Sequence, residues 1–449
     1  MPTYKQLLSL PVLMLALTAA WADDFCVFKD GKAMTSIILP EHASEDLKKA
    51  VEQFRSDLQR GYQIDVPQGD APDVPGRIEL VVEKRSLENE DQTVISFLGA
   101  NVMRITGGES GVRRALFWLL EEFGGVRYLY QGGKHGTHFP PRTELAIPRK
   151  QIERRSEFRV GRSTARSRYT ANRRYFWWWE VRLGAKAPLY FNHALTCHPK
   201  PPAGGIAFPL EDYCKREKKP ADEMFPILNG RRFLAYEHVG GAARSRWQPC
   251  FTSPEAVKEA AGNLVAYLRK HPDTVSLSLG VNDVGGHCTC ERCLAVDHKG
   301  SRTNSMGYVD RSESYYQWVN QVAGRVTDEF PDVTFGLIAY REVLAPPSKP
   351  LHPNVVPVLC FDFQATIDPE IEEQRKQLVR AWSEKASRIG FWAYDTGFLS
   401  FSLPRVYFEQ QQNMIRFLRD HNGAFGFSSG AHYFTATEGP KAWLHFKLL

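Results

Sequence analysis

The chain has 449 residues, 43% hydrophobic, 24% charged and 12% aromatic, a composition that can bury a sizeable core and excludes a disordered or low-complexity protein. Its 57 basic residues against 51 acidic ones leave a formal charge of +6, too mild at this length for the footprint of a nucleic-acid-binding protein. At about 150 residues per domain, or about 250 for an α/β barrel, one barrel plus one smaller domain fits the length.

Residues 1–22 read as a secretory signal peptide, with Lys5, an apolar run from Leu7 to Ala20, and Ala20-Trp21-Ala22 as a small-x-small cleavage site. The run is shorter than the ~20 apolar residues a membrane span requires and no second run follows, so no span is expected. The mature protein then begins near Asp23 and is secreted, periplasmic or held at the cell surface. Its eight cysteines are too sparse for a disulfide framework, so folding must rest on a hydrophobic core.

Residues 23–150 are expected to form a small α+β domain. Leu47, Ala50, Val51, Phe54 and Leu58 recur at helical spacing, whereas 78–82 and 103–106 read as strands. A second helix is expected with Ser110 as its cap, an apolar stripe through Val112, Ala115, Leu116, Leu119, Leu120 and Phe123, and a stop at Gly124-Gly125. Pro140-Pro141-Arg142 and the charged stretch 148–155 read as a connector.

From Phe158 onward, short apolar runs alternate with helical stretches, the pattern of parallel β/α units. Eight strands are expected, at 158–162, 189–194, 246–251, 275–281, 334–340, 355–362, 389–395 and 424–428, with helices at 253–270 and 312–330 among their connections. Eight such units predict a (β/α)8 TIM barrel over 151–449, with its chemistry at the carboxyl ends of the strands. The pattern Trp443, Leu444, Phe446, Leu448 is still helical at the last residue, as a frayed terminus or the interior of a longer chain would be.

The expected strand ends carry Arg159 and Arg162, His193 and His198, Asn282-Asp283, Tyr340 and Glu342, Asp362, Tyr394-Asp395, and Ser428, Ser429 and His432. Carboxylates ringed by aromatics such as Trp392, Phe398, Tyr407 and Tyr433 suit a sugar site. Glycoside hydrolysis needs a carboxylic acid for the leaving oxygen and a group stabilising an oxocarbenium-like centre, and aromatic faces match the apolar side of pyranose rings. The pair Asn282-Asp283 has a mechanical use, the amide holding a substituent beside the reacting carbon and the acid donating the proton. Asp395 and Glu342 are the further candidate acids, with Arg159, Arg162, His193, Tyr340, Asp362, Trp392 and Tyr394 as substrate-binding candidates. An arginine-rich stretch, Arg159 to Arg174, followed by Trp177-Trp178-Trp179, suits a carboxylate on an acidic sugar or a solvated helix face.

Cys288, Cys290 and Cys293, with His287 beside them, place four possible ligands within seven residues. A local disulfide or packed thiols is the leading expectation in an exported protein, and a structural zinc the alternative.

The run Ser278-Leu279-Gly280-Val281-Asn282-Asp283 with Gly286, Cys288, Cys290 and Cys293 resembles the signature of domain of unknown function family 4838, which overlaps glycoside hydrolase family 163. Thr334 to Tyr340 with Pro346-Pro347, and Trp392-Ala393-Tyr394-Asp395 before Pro404, are similar to it as well, so that the resemblance spans roughly 155–449. Ile105-Thr106-Gly107-Gly108 and Gly124-Gly125-Val126-Arg127-Tyr128 resemble the small domain preceding the barrel in hexosaminidases and α-glucuronidases. The resemblance implies a secreted bacterial glycoside hydrolase without a cofactor, acting on a glycan or glycoprotein. It further implies a retaining endo-β-N-acetylglucosaminidase in which the acetamido oxygen of the substrate attacks, Asn282 orients that group and Asp283 is the acid. Two other readings stand beside it: an α-glucuronidase-like hydrolase using Asp283 and Asp395, and a carbohydrate-binding surface protein without catalysis.

Overall fold

The computed structural model describes residues 24–129, 136–155, 160–163, 189–196, 205–215, 220–237, 247–394, 407–423 and 426–429. The expected signal peptide, the tryptophan triplet and the final helix lie outside these residues.

In the N-terminal part, the helix Glu45–Tyr62 starts at Ser44, whose hydroxyl accepts from the Leu47 amide, and buries the expected stripe from Leu47 to Leu58. The second helix, Glu109–Glu122, begins one residue before the expected cap: Gly108 is the N-cap, and Ser110 is buried with its amide donating to Glu90. Both helices pack with a five-stranded mixed sheet into one apolar cluster. The expected connector is instead part of this architecture. Glu144–Ile147 pairs with Phe25–Lys29, and Ile152–Arg154 pairs with Thr93–Leu98, so the chain closes the unit with two edge strands before moving on. Pairing satisfies backbone groups that an exposed linker would leave to water.

The C-terminal part is built on six parallel strands, adjacent in the order Val160–Ser163, Gly426–Ser429, Gly390–Tyr394, Val355–Asp362, Thr334–Ala339 and Ser276–Ser278. The first and last of these in sequence after the N-terminal part are thus neighbours, but no closed barrel forms among the described residues. Six of the eight expected strands are present. The other two are not. Residues 247–250 are irregular, because Pro249 has no donor for a ladder and their bonds go to Gly286 and Met224 instead. Residues 189–194 make a single parallel bridge, His193 to Gly280.

The alternation of each strand divides the core. Phe335, Leu337, Leu359, Phe391 and Ala393 face the helices Pro254–Lys270, Ser312–Thr327, Pro369–Ser383 and Phe408–Leu418 in the main cluster. Ile338, Val356, Val358, Cys360 and Trp392 point to the opposite, inner face, where they meet Leu189 and Phe191. Leu87 of the N-terminal part inserts into the same inner cluster, and Glu88 pairs with Arg388 at 2.9 Å.

The segment 189–194 can cross the inner face only because two strands present glycine there. A Cβ on Gly336 would overlap the Tyr190 carbonyl and lie 3.0 Å from Phe191 Cβ, and one on Gly280 would overlap the Asn192 carbonyl. Serines complete the fit: Ser276 Oγ accepts from the Tyr190 amide at 3.0 Å, and Ser278 Oγ donates to the Asn192 carbonyl at 2.6 Å. Gly336→Ala should therefore destabilise the protein by about 1–3 kcal/mol, the usual cost of overpacking. Gly324→Ala, in a helix where a Cβ meets nothing within 4 Å, should stabilise it by about 0.5–1 kcal/mol. Thermal melts of the two variants check both signs.

Candidate active site

Beyond the end of the strand Ser276–Ser278, the chain turns through Val281, Asn282 and Asp283, and a buried polar knot fixes this turn. Gln248 holds it in both directions, its Oε1 accepting from the Asn282 amide at 3.1 Å while its Nε2 donates to the carbonyls of Asn282 and Val284 at 2.9 and 3.0 Å. The Asn282 side chain is engaged at both ends: Oδ1 accepts from Thr196 Oγ1 at 3.1 Å, and Nδ2 donates to the Trp247 carbonyl at 2.8 Å. Asn282 is only 6% exposed. This is a correction to the expectation that its amide orients a substrate group. A buried amide satisfied on both sides positions the loop, since breaking either bond would strand a buried polar group.

Asp283 is the opposite case. Its side chain is 63% exposed and lies 3.7 Å from Nε2 of His193. The other ring nitrogen of His193, Nδ1, is 2.7 Å from the Val281 carbonyl. A carbonyl can only accept, so Nδ1 carries a proton and Nε2 is the atom presented to the carboxylate. The ring of Tyr340 is 5.8 Å from the imidazole, and burial raises its hydroxyl pKa, with the charge of Asp283 adding to the effect. Burial also pushes the Cys360 thiol up to about 12, and the charges of Asp283 and Asp362 act in the same direction. Tyr340 follows the strand Thr334–Ala339 and Asp362 ends its neighbour Val355–Asp362, while Cys360 and Tyr340 belong to the inner apolar cluster.

Glu342 follows the strand Thr334–Ala339 and approaches Gly285: its Oε1 is 3.7 Å from the point where a Gly285 Cβ would sit. Its side chain is 17% exposed and lies 3.5 Å from the Arg341 guanidinium. Arg341 adopts a left-handed backbone, φ +50°, a conformation unfavourable for a long side chain. The strain is held from both sides. Asn304 donates to the Arg341 carbonyl, and the Arg311 amide donates to the Glu342 carbonyl at 2.7 Å. Local strain held by surrounding bonds is characteristic of functional positions.

Of the other candidates, Asp362 ends the strand Val355–Asp362, and Trp392 stands on the inner face against Phe191, ring centroids 5.5 Å apart. Tyr394 ends its strand and Arg162 lies opposite Ser428 in the ladder. Arg159, His198, Asp395, Phe398, His432 and Tyr433 fall outside the described residues. Tyr407, expected among the ringing aromatics, is instead a core residue preceding the helix Phe408–Leu418.

A second cluster lies directly after this loop. Cys288, Cys290 and Cys293 are joined by Cys250, and the four sulfurs all lie within 4.8 Å of one another. No disulfide links them. Cys250 is 3.7 Å from Cys293 and 3.8 Å from Cys290, far beyond the ~2.05 Å of an S–S bond. Of the two forms expected, the cysteines take that of packed thiols and not that of a local disulfide, and the three knuckle cysteines turn toward a fourth partner from elsewhere. Sequence reading missed Thr196, Gln248 and Cys250. Only Cys250 carried a signal, and a weak one, as one of five further cysteines that could bring the knuckle to a set of four.

A family model described as a domain of unknown function (DUF4838) matches residues 133–449. The chain belongs to this family. No curated protein matches the sequence. Among solved structures, the chain is similar to BtGH115A, a family GH115 4-O-methyl-α-glucuronidase with specificity for decorated arabinogalactans, at 9% identity and a TM-score of 0.51 over 95% of this chain. The match covers 57% of that protein, so the chain spans little more than half its length. A chitobiase of Flavobacterium johnsoniae, FjGH20, matches at 11% identity with a TM-score of 0.44, over 95% of this chain and 70% of that one. At these identities the similarity to BtGH115A concerns the fold alone.

Because Gln248 supplies three of the bonds that hold the Asn282-Asp283 turn, Gln248→Ala should leave buried amide and carbonyl groups unsatisfied and lower stability by about 3 kcal/mol. Chemical denaturation of this variant beside the parent measures the loss.

Proposed function

We propose that this DUF4838 protein is an exported glycoside hydrolase, with a barrel-like catalytic part following a small domain that begins near residue 23 and closes with the edge strand Ile152–Arg154. The observation that carries the reading is the exposed Asp283 carboxyl, set against His193 beyond the carboxyl end of a parallel strand, with Tyr340 against the same imidazole and Glu342 near Gly285, two residues further on. Asp283 is open to a substrate, as a group that must give and retake a proton has to be, and Nε2 of His193 lies 3.7 Å from it. Glu342, more enclosed and next to the turn, supplies negative charge for an oxocarbenium-like centre. Ends of parallel strands are where such folds collect their reacting groups.

The substrate class in this reading is a glycan or glycoprotein containing N-acetylglucosamine, as the resemblance to glycoside hydrolase family 163 implies. The acetamido oxygen of the substrate attacks the anomeric carbon, and Asp283 protonates the leaving oxygen. Asn282 acts through the loop, as a positioning residue, while the Tyr340 hydroxyl is the donor available to the acetamido group. Trp392 and Asp362 contribute to the sugar-binding floor, and Asp395, Tyr394, Arg159 and Arg162 remain candidates for its rim. No cofactor takes part in this chemistry. No helix among the described residues is long and apolar enough to cross a membrane.

One observation favours a second reading. The Arg341 guanidinium lies beside Glu342, its Nε has no hydrogen-bond partner among the described residues, and a guanidinium fork at a sugar site suits a uronic acid carboxylate.

Asp283→Asn should lower turnover of N-acetylglucosaminides or N-glycoproteins by about 10²-fold or more while substrate still binds. A thiazoline that mimics the oxazoline intermediate should inhibit far more tightly than the substrate binds, as transition-state analogues do. Hydrolysis of a simple glucuronide, unaffected by thiazoline and abolished in Arg341→Ala, supports the second reading over the first. Glycan binding with no turnover on any of these substrates overturns both.

A further inference from the structure

We infer that Cys250, Cys288, Cys290 and Cys293 form a structural site for a single zinc ion that clamps the loop bearing Asp283. Geometry is the first support. With Zn–S bonds of about 2.3 Å, the edge of a tetrahedron of thiolates is about 3.8 Å. The Cys250 sulfur stands 3.8 Å from that of Cys290 and 3.7 Å from that of Cys293, and all four sulfurs lie within 4.8 Å of one another. A polynuclear iron–sulfur cluster would hold its thiolates well further apart, with the inorganic atoms between them.

The surroundings are the second support. Sulfur ligands of structural zinc accept hydrogen bonds from nearby donors, which offset the negative charge of the thiolates. Here the amides of Ile227 and Cys290 donate to the Cys288 sulfur at 3.2 and 3.5 Å, and the Thr252 hydroxyl is 3.1 Å from that of Cys293. The hairpin of Ile227–Leu228 and Arg231–Arg232 is tied over the knuckle, since the Thr289 amide and hydroxyl both donate to the Ile227 carbonyl at 2.9 Å. Cys250, Cys288 and Cys293 are buried in a cluster of their own, separate from the main hydrophobic core. With four protein ligands the ion has no open position, so its role is structural. Binding replaces four S–H bonds with four Zn–S bonds and releases the thiol protons to solvent.

What the ion would hold together is specific. Cys250 lies two residues beyond Gln248, which grips Asn282 and Val284, and Cys288 lies five residues beyond Asp283. One ion therefore staples both segments of the polar knot.

The test uses the full purified chain and does not depend on its enzymatic activity. Metal analysis should find close to one zinc per chain, released in one equivalent when a mercurial blocks the thiols. Replacement by cobalt should give the intense thiolate-to-metal absorption of a tetrahedral site. In competition with a chelator, Cys250→Ser should bind zinc at least tenfold more weakly than the parent. Absence of zinc, iron in its place, disulfides among these four cysteines by mass spectrometry, or a Cys250→Ser variant holding zinc as tightly as the parent overturns the proposal. Measurements on the parent chain decide the question even if the variant fails to fold.

Discussion

The site depends on a few buried hydrogen bonds between two segments far apart in sequence. Gln248 on one segment holds the backbone of Asn282 on the other, and the Trp247 carbonyl, with Thr196 from a third segment, satisfies its side chain. Such bonds contribute modestly when made and cost far more when one partner is lost, because the remaining group is already out of water. The consequence is a rigid turn in which one residue, Asn282, is fully enclosed and the next, Asp283, projects into solvent.

That contrast explains why adjacent polar residues take different parts. Asn282 belongs to the scaffold although its chemistry would suit a ligand, and Asp283 is open although nothing in its immediate neighbours forces it out. His193 reaches Asp283 from a segment that is scarcely a strand at all. It does so because Gly280 and Gly336 lack side chains and Ser276 and Ser278 supply bonds where a ladder would otherwise run. The inner face of the sheet thereby admits extra backbone at the place where a regular strand would have kept its distance. Leu87, inserted from the N-terminal part, closes the same inner cluster, so the two parts of the chain share one apolar contact at the floor of the sheet.

Arg341 shows how much the surroundings enforce. A left-handed arginine immediately before a candidate carboxylate is costly, and bonds from Asn304 and Arg311 hold it and its neighbour in place. Two neighbouring strands thus end in turns braced by other parts of the chain, one carrying Asp283 and the other Glu342. In the proposed glycosidase reading, backbone braced in this way sets both residues before any substrate arrives, which is what electrostatic stabilisation of a charged transition state requires.

Local patterns in the sequence determined the regular elements. The stripe from Leu47 to Leu58 made a helix, Ser253-Pro254 began another, and the apolar runs at 334–340, 355–362 and 389–395 became buried parallel strands, because period and capping act within a few residues. The Asn282-Asp283 turn and the cysteine knuckle were likewise legible as chemistry-bearing segments. Tertiary structure alone decided what those residues do. The strands expected at 189–194 and 246–251 gave way to irregular backbone, whose bonds run to distant loops. Gln248, Thr196 and Cys250 acquired their roles from partners 34, 86 and 43 residues away, a separation at which no periodicity carries information. Burial of Asn282 and exposure of Asp283 are properties of that packing, and a sequence read one segment at a time contains neither.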